Sequence, residues 1–255
     1  MPFSGTYIFY HSEIHILLII IFMKEYFDKN PDNILIHFTD KMDNIKDILS
    51  SQSLNLSYCK EDFMISDDFV VSKAVHPMVC FSEQNLENLA NKKITYGKFG
   101  IAFNSDWILK NKIQPVLYIE KNSPVAQALG ALLKYRRSLE KSTVRQDIMI
   151  LKCFTKNTIG YNSHFKIKNF LFKDENEWRY IPSKKQIGGG FISENISTYN
   201  RMKLKYNQHI KKYPLMFDLV LDVHSVFVSS IIECEYLKNK YPSISDKFKT
   251  SIWEV

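Results

Sequence analysis

Apolar residues run in short blocks along this chain, and the polar residues that interrupt them set the elements. Ile34-Leu35-Ile36-His37-Phe38 reads as a short buried strand. Thr39 or Asp40 can cap the helix behind it, where Met42, Ile45, Ile48 and Leu49 share one face. Met78 to Phe81 is a second strand, and Ser82 can cap a helix carrying Leu86 and Leu89. Phe99 to Phe103 is a third strand, entered through Tyr96-Gly97-Lys98-Phe99-Gly100, where the glycines permit a turn or a close backbone approach. Pro115 to Ile119 is a fourth. Ser123-Pro124 places a cap and then a proline at the first helical position. The helix it opens should reach about Glu140, with Leu129, Leu132 and Leu133 inward and Lys134, Arg136 and Arg137 outward. Ile148 to Phe154 and Trp178 to Ile181 read as strands, and residues 197–212 as a basic helix. Leu219 to Val223 and Val226 to Val228 read as strands, followed by a helix near Ile231 to Asn239. There is no regular βαβ alternation. The pattern therefore predicts an α+β fold around a mixed, largely antiparallel sheet flanked by helices, not a doubly wound parallel one.

Length and composition narrow this only slightly. A chain of 255 residues fits one large domain or two small ones, and 45% apolar content can fill a core. Gly and Pro number 8 each, so no long flexible linker is expected. The four cysteines, Cys59, Cys80, Cys153 and Cys234, lie far apart without metal-ligand spacing, so no metal is expected. Cys80 and Cys153 sit in apolar runs and read as buried free thiols, which makes a reducing cytoplasm the default location. Ile14 to Met23 is apolar apart from His15 but too short to span a bilayer, and it lacks the leading basic segment of a signal peptide. Met23-Lys24-Glu25-Tyr26 resembles a natural start. Residues 1–22 are accordingly expected to be a dispensable extension or translated upstream sequence, and residues 23–255 a single α+β domain.

Charge changes the picture more. The net charge is +7, but residues 1–120 hold 11 Lys+Arg against 15 Asp+Glu, whereas residues 121–212 hold 19 against 6. A basic half of this kind suits a polyanionic partner such as nucleic acid, a nucleotide or an acidic protein. It also suits a merely solvated lysine surface. Lys134, Arg136 and Arg137 are the first residues to neutralise when testing which it is.

Three motifs place polar groups inside otherwise apolar runs, which is costly unless the groups are paired or used. His37 lies within the first strand with Thr39 two residues on; together they can meet a ribose hydroxyl or phosphate, or His37 can be a core residue bonded to a carbonyl. Ser82 and Glu83 follow the second strand, where helix capping is the favoured reading. Glu175, Glu177 and Arg179 alternate along an extended segment, so all three share a face while Trp178 and Tyr180 take the other. That face can hold a substrate hydroxyl and stabilise a developing cation, or it can be an exposed ion-pair ladder of little energetic value. Gly188-Gly189-Gly190 lacks the preceding strand and spacing of a phosphate loop and reads as a turn. Tyr58, Tyr96 and Tyr161 can each stack on a ring, but among 14 tyrosines none stands out.

Taken in order, His37-Phe38-Thr39, the helix ending near Ile48-Leu49, Tyr58 to Glu61, Pro77 to Ser82, Tyr96-Gly97 to Phe103, Trp107, Pro115 to Tyr118 and Glu175 to Tyr180 resemble the AbiGi family. The resemblance covers roughly residues 34–230. It implies a bacterial abortive-infection (phage-resistance) protein acting as the antitoxin partner of a nucleotidyltransferase-like toxin. The order of an early His-x-Thr strand and a late Glu-x-Glu strand is also similar to ADP-ribosyltransferase-like folds. That second resemblance implies an NAD-dependent ADP-ribosyltransferase acting on a protein or nucleic acid. In it His37 and Thr39 bind the ribose, Glu177 supports the transition state with Glu175 and His37 beside it, and Arg179 and Tyr96 complete the NAD site. The stacking aromatic is not placed, with Tyr58, Phe81 and Tyr96 as candidates. The expected partners are a cognate toxin and, through residues 121–212, nucleic acid; no membrane is expected.

Overall fold

The structure, a computed structural model, describes residues 23–139, 143–162 and 165–255. The expectation for residues 1–22 lies outside the described residues. In chain order the main elements begin with β1 (Asn33–Thr39), α1 (Met42–Ser51), β2 (Ser57–Ser66), β3 (Phe69–Asn85) and β4 (Phe99–Phe103). They continue with α2 (Ser105–Lys110), β5 (Gln114–Pro115), β6 (Leu117–Ile119), α3 (Pro124–Tyr135), α4 (Thr143–Cys153) and β7 (Thr155–Asn157). Last come β8 (Glu177–Tyr180), α5 (Ile196–Ile210), β9 (Val223–Val228), α6 (Ile231–Lys240) and β10 (Phe248–Thr250). The class is α+β with a mixed, mostly antiparallel sheet, as the pattern predicts. The chain divides into two compact units.

One unit holds the described residues up to Lys41, Gln84–Lys112 and Leu219–Val255. Its strands run in the order β10, β9, β4, β1. β1 pairs β4 antiparallel, Leu35 opposite Phe103 and Thr39 opposite Phe99, and β9 pairs β4 antiparallel with Val226 opposite Ile101. β10 alone is parallel to its neighbour, Phe248 opposite Val226. Ile34, Ile36, Ala102 and Phe227 from the strands bury a core with Leu89, Ile94 and Trp253. The Trp253 indole N–H donates to the Gly97 carbonyl at 2.9 Å, so the ring is held by a bond as well as by packing. Gly97 takes φ +116, and a Cβ there would strike the backbone of Thr39 and Asp40, so this is the close approach that the glycine permits.

The other unit holds Met42–Glu83 and Ile113–Asp218. Its frame is the long hairpin of β2 and β3, paired from Ser57 opposite Met78 to Ser66 opposite Phe69 with an irregularity around Met64. β8 pairs β3 antiparallel, with Glu177 opposite Ser82 and Arg179 opposite Cys80, and pairs β5 on its other edge, Trp178 opposite Pro115. β6 and β7 form a parallel pair, Leu117 opposite Thr155. α3 begins as the sequence predicts: Ser123 Oγ accepts from the Ala126 N–H at 3.1 Å, with Pro124 in the first turn. Its Ala126, Leu129 and Leu133 pack with Phe63 and Ile148.

Several expectations are corrected, among them that the Ser123-Pro124 helix stops at Tyr135 rather than near Glu140, and that residues 219–222 form a turn, not a strand, before β9. No α-helix follows Ser82: β3 runs on to Asn85, and only a single 3-10 turn, Leu89–Asn91, comes after it. Sheet pairing overrides the cap, because Ser82 faces Glu177 across the ladder and the Glu83 N–H donates to Asn176 O. Ile148 to Phe154 is no strand but the end of α4, with Ile148 and Lys152 buried at helical spacing. A four-residue apolar run does not distinguish the two. The run 115–119 breaks at Val116, whose N–H donates to Glu177 O. Finally, Leu132 is exposed rather than inward, and Cys80 is half-buried while Cys153 is buried, neither of them in a disulfide among the described residues.

Candidate functional site

β8 is entered from a 3-10 turn, Phe172–Glu175, and the chain is reset by Asn176 at φ +43, a conformation asparagine tolerates. Alternation along the strand then sends Glu177 and Arg179 to one side and Trp178 to the other. Trp178 is buried and donates its indole N–H to Glu83 Oε2 at 3.0 Å. Ser82 donates its hydroxyl to Glu175 O. Both polar residues after the second predicted strand therefore fasten β8 to β3.

Arg179 is wholly buried, and every arm of its guanidinium is used. Nε donates to Glu177 Oε1 at 2.8 Å, Nη2 to Glu177 Oε2 at 3.1 Å and to Glu61 Oε1 at 2.6 Å, and Nη1 to Cys153 O at 2.7 Å. Lys156, on β7, donates to Glu175 Oε2 and to Glu177 Oε2, each at 2.9 Å, and sits 4.2 Å over the Phe172 ring. The Glu177 N–H donates to the Tyr118 hydroxyl at 2.9 Å. Three carboxylates and two cations thus share one buried site.

Burial by itself would raise the Glu177 carboxyl. The Arg179 and Lys156 charges, and their hydrogen bonds, outweigh it and hold the group well below the usual carboxylate range. Glu61 goes the other way: its burial, only partly offset by Arg179, raises it. Burial would lower Lys156 and Arg179, but the facing carboxylates hold both well above their ordinary values. Glu177 is therefore ionised, bidentate to one cation and shared with another.

A second buried polar pair lies in the same unit. His76 Nδ1 is 3.1 Å from Ile192 O and 3.2 Å from Cys153 Sγ, and the Cys153 thiol donates to Ile192 O at 3.3 Å. His76 Nε2 is buried with no hydrogen-bond partner among the described residues. Burial, reinforced by the Lys152 charge, lowers His76 to about 3, and burial pushes the Cys153 thiol up to about 12. The pair is neutral imidazole and neutral thiol, without the thiolate a nucleophile needs. Lys152, lowered to about 8 chiefly by burial, donates to Ser193 Oγ at 3.2 Å.

Of the residues the sequence put forward, Glu175, Glu177 and Arg179 come together. Glu175 does so through the 3-10 turn rather than through strand alternation. His37 and Thr39 lie on β1, half-buried and buried respectively, and Tyr96 precedes β4; all three belong to the other unit. Tyr58 packs against Tyr199 and Tyr206 at 5.3 and 5.7 Å, and its phenol, donating to Phe191 O at 3.4 Å, is pushed up to about 12, mainly by burial. Sequence reasoning missed Glu61, Lys156, His76 and Cys153 as polar partners. A signal existed for His76, a histidine in the apolar run Ala74 to Val79 like His37 in its own strand. Lys156 had none among so many lysines.

The fold and this cluster of facing charges define an α+β protein with a polar cluster buried in one of its two units. The model of the family described as "Putative abortive phage resistance protein AbiGi, antitoxin" matches residues 52–228, and the chain belongs to that AbiGi family. It is similar to the "Abortive phage resistance protein AbiGi" of Lactococcus lactis subsp. cremoris, 25% identical over 191 residues, which cover 63% of this chain and 74% of that relative. No solved structure matches. The chain is thus a phage-resistance protein of the abortive-infection type, in a family described as antitoxin. No helix among the described residues is long and apolar enough to cross a membrane.

Proposed function

We propose that this antitoxin acts by binding, holding a cognate toxin through its surface, and that the cluster around Arg179 is a structural centre rather than a catalytic one. The observation that supports this reading is the state of Glu177. Both of its oxygens are taken by Arg179 and Lys156, it is 7% exposed, and its charge is neutralised in place. A carboxylate that must face a developing oxocarbenium ion needs a free oxygen directed at the substrate. Here the negative charge is already spent on two cations.

The competing reading, an NAD-dependent ADP-ribosyltransferase with His37, Thr39, Tyr96 and Arg179 holding the cofactor and Glu175, Glu177 and His37 acting on it, requires Arg179 to release Glu177. The test is co-expression of the cognate toxin with wild type and with Glu177→Gln, alongside incubation of both purified proteins with NAD and candidate acceptors. Binding predicts that wild type forms a complex with the toxin and rescues growth without consuming NAD. Glu177→Gln should rescue in proportion to the folded protein that remains. NAD consumption by wild type that Glu177→Gln abolishes would establish the enzymatic reading instead.

A further inference from the structure

α5 is a long helix that packs on its unit through few side chains, Tyr199 and Tyr206 against Tyr58 among them. Of Ile196–Ile210, only Tyr199 and Ile210 are buried, and residues 200–205 are all exposed. Asn195 caps it, accepting from the Ser197 N–H at 2.9 Å. Residues 196–212 contain Arg201, Lys203, Lys205, Lys211 and Lys212 and no acidic residue. The helix kinks at Met202, which has φ -118 and ψ 20, and ends at Ile210 with Lys211 as its C-cap, so Arg201 and Lys205 lie on the helix on either side of the kink and Lys212 just past its end. All three cations are exposed, and among the described residues none of them forms an ion pair. Glu194, seven residues before Arg201, is engaged elsewhere: it accepts from the Tyr206 hydroxyl at 2.9 Å and from the Asn195 N–H at 2.7 Å. His209 is turned to Ile187 O at 2.7 Å and adds nothing to these cations.

We infer that the exposed cations of α5 and the residues just past it, Arg201, Lys205 and Lys212, bind the phosphodiester backbone of nucleic acid. The helical part from Arg201 to Ile210 rises about 14 Å, enough to follow several phosphates of one duplex strand. The composition favours phosphates over a protein surface. Lysine is depleted from the cores of protein–protein interfaces, whereas lysine and arginine supply phosphate contacts. The apolar side chains beside these cations, Met202 and the 79%-exposed Leu204, are too few for an interface core. Three other cations of the basic half are engaged within the fold. Lys134 lies 4.7 Å over the Phe69 ring, Arg136 donates to Leu133 O at 2.7 Å, and Lys121 pairs with Asp67 at 2.6 Å. The side chains that reach the backbone carry no base code, so the binding is independent of sequence.

This inference does not depend on how the antitoxin neutralises its toxin, and its test is separate. Anisotropy of a labelled duplex of arbitrary sequence is followed with the full chain between roughly 50 and 200 mM salt, with the matching single strand as a second probe. Wild type should bind one or both probes with a steep salt dependence. Arg201→Ala with Lys205→Ala and Lys212→Ala should weaken binding at least tenfold and flatten the log–log salt slope by about 2.7, roughly 0.9 per lost phosphate contact. Lys205→Gln with Lys212→Gln, which keeps length and helix propensity, should flatten it by about 1.8. Lys92→Ala with Lys98→Ala, in the other unit, should change neither. No binding at the lowest salt, or an unchanged slope in the triple variant, overturns the inference. Loss of toxin neutralisation in a triple variant whose wild type binds no nucleic acid overturns it too, and assigns α5 to the protein partner.

Discussion

The second unit carries its cations in two opposite ways. Around β8, Lys156 and Arg179 are buried against Glu61, Glu175 and Glu177, with each ion pair at 2.6 to 2.9 Å. Along α5 and just past its end, Arg201, Lys205 and Lys212 are exposed and form no ion pair among the described residues. A buried cation is tolerated only while its partners stay in place, so removing one partner exposes the full desolvation cost. An exposed cation costs the fold almost nothing and remains available to a ligand. The first group specifies where strands meet; the second is spare charge. Net charge alone, +7 over the chain, counts the two alike.

The comparison breaks most visibly at Arg179. Arg179→Met keeps the bulk but strands Glu177 and Glu61 in the interior, and should cost about 3–5 kcal/mol in a denaturant melt. If the loss is under about 1 kcal/mol, the cluster is not the centre described here.

Next comes pH. His76 is held neutral, with its folded pKa lowered from 6.5 to about 3, so the unfolded chain takes up its proton first. Its contribution is complete above pH 6.5 and is lost as pH falls toward 3, with a slope of up to about 1.4 kcal/mol per pH unit. Glu177 is also depressed, so its contribution is complete above its ordinary value of 4.5 and is lost only below that. Urea melts from pH 7.5 to 4 should show the decline beginning near 6.5, and His76→Phe should shrink that first phase to the part carried by His224, which burial also lowers, while leaving the one below 4.5. A flat profile above pH 4.5 in wild type would show that His76 titrates normally.

The smallest effect belongs to α5. Alanine at Arg201, Lys205 and Lys212 together should move stability by no more than about 0.5 kcal/mol per site. A larger loss would mean that these cations support the fold and that their contrast with the β8 cluster is one of degree.

Much of the architecture was legible in the sequence, for local reasons. The β1 and β4 strands, the Ser123-Pro124 helix start and the helices at Ile196 and Ile231 all follow from caps and periodicity read over a few residues. What was not legible depends on distant pairing. Ser82 looks like a cap, but β8, nearly a hundred residues later, claims that backbone as a strand edge. The run Ile148 to Leu151 suits a strand or a helix equally well until Ile148 is seen packing under α3. At the candidate site, alternation brought Glu177 and Arg179 to one face. It could not reveal that Glu61 and Lys156, from β2 and β7, would close the cluster and satisfy the carboxylate.

The most direct measurement is an equilibrium urea melt of Glu177→Gln beside wild type at pH 7. Gln keeps the shape but removes the charge that Arg179 and Lys156 share. A structural centre predicts a loss of about 2–3 kcal/mol, since two buried cations lose part of their compensation. A Glu177→Gln protein as stable as wild type would contradict the account and return Glu177 to the list of residues kept for chemistry.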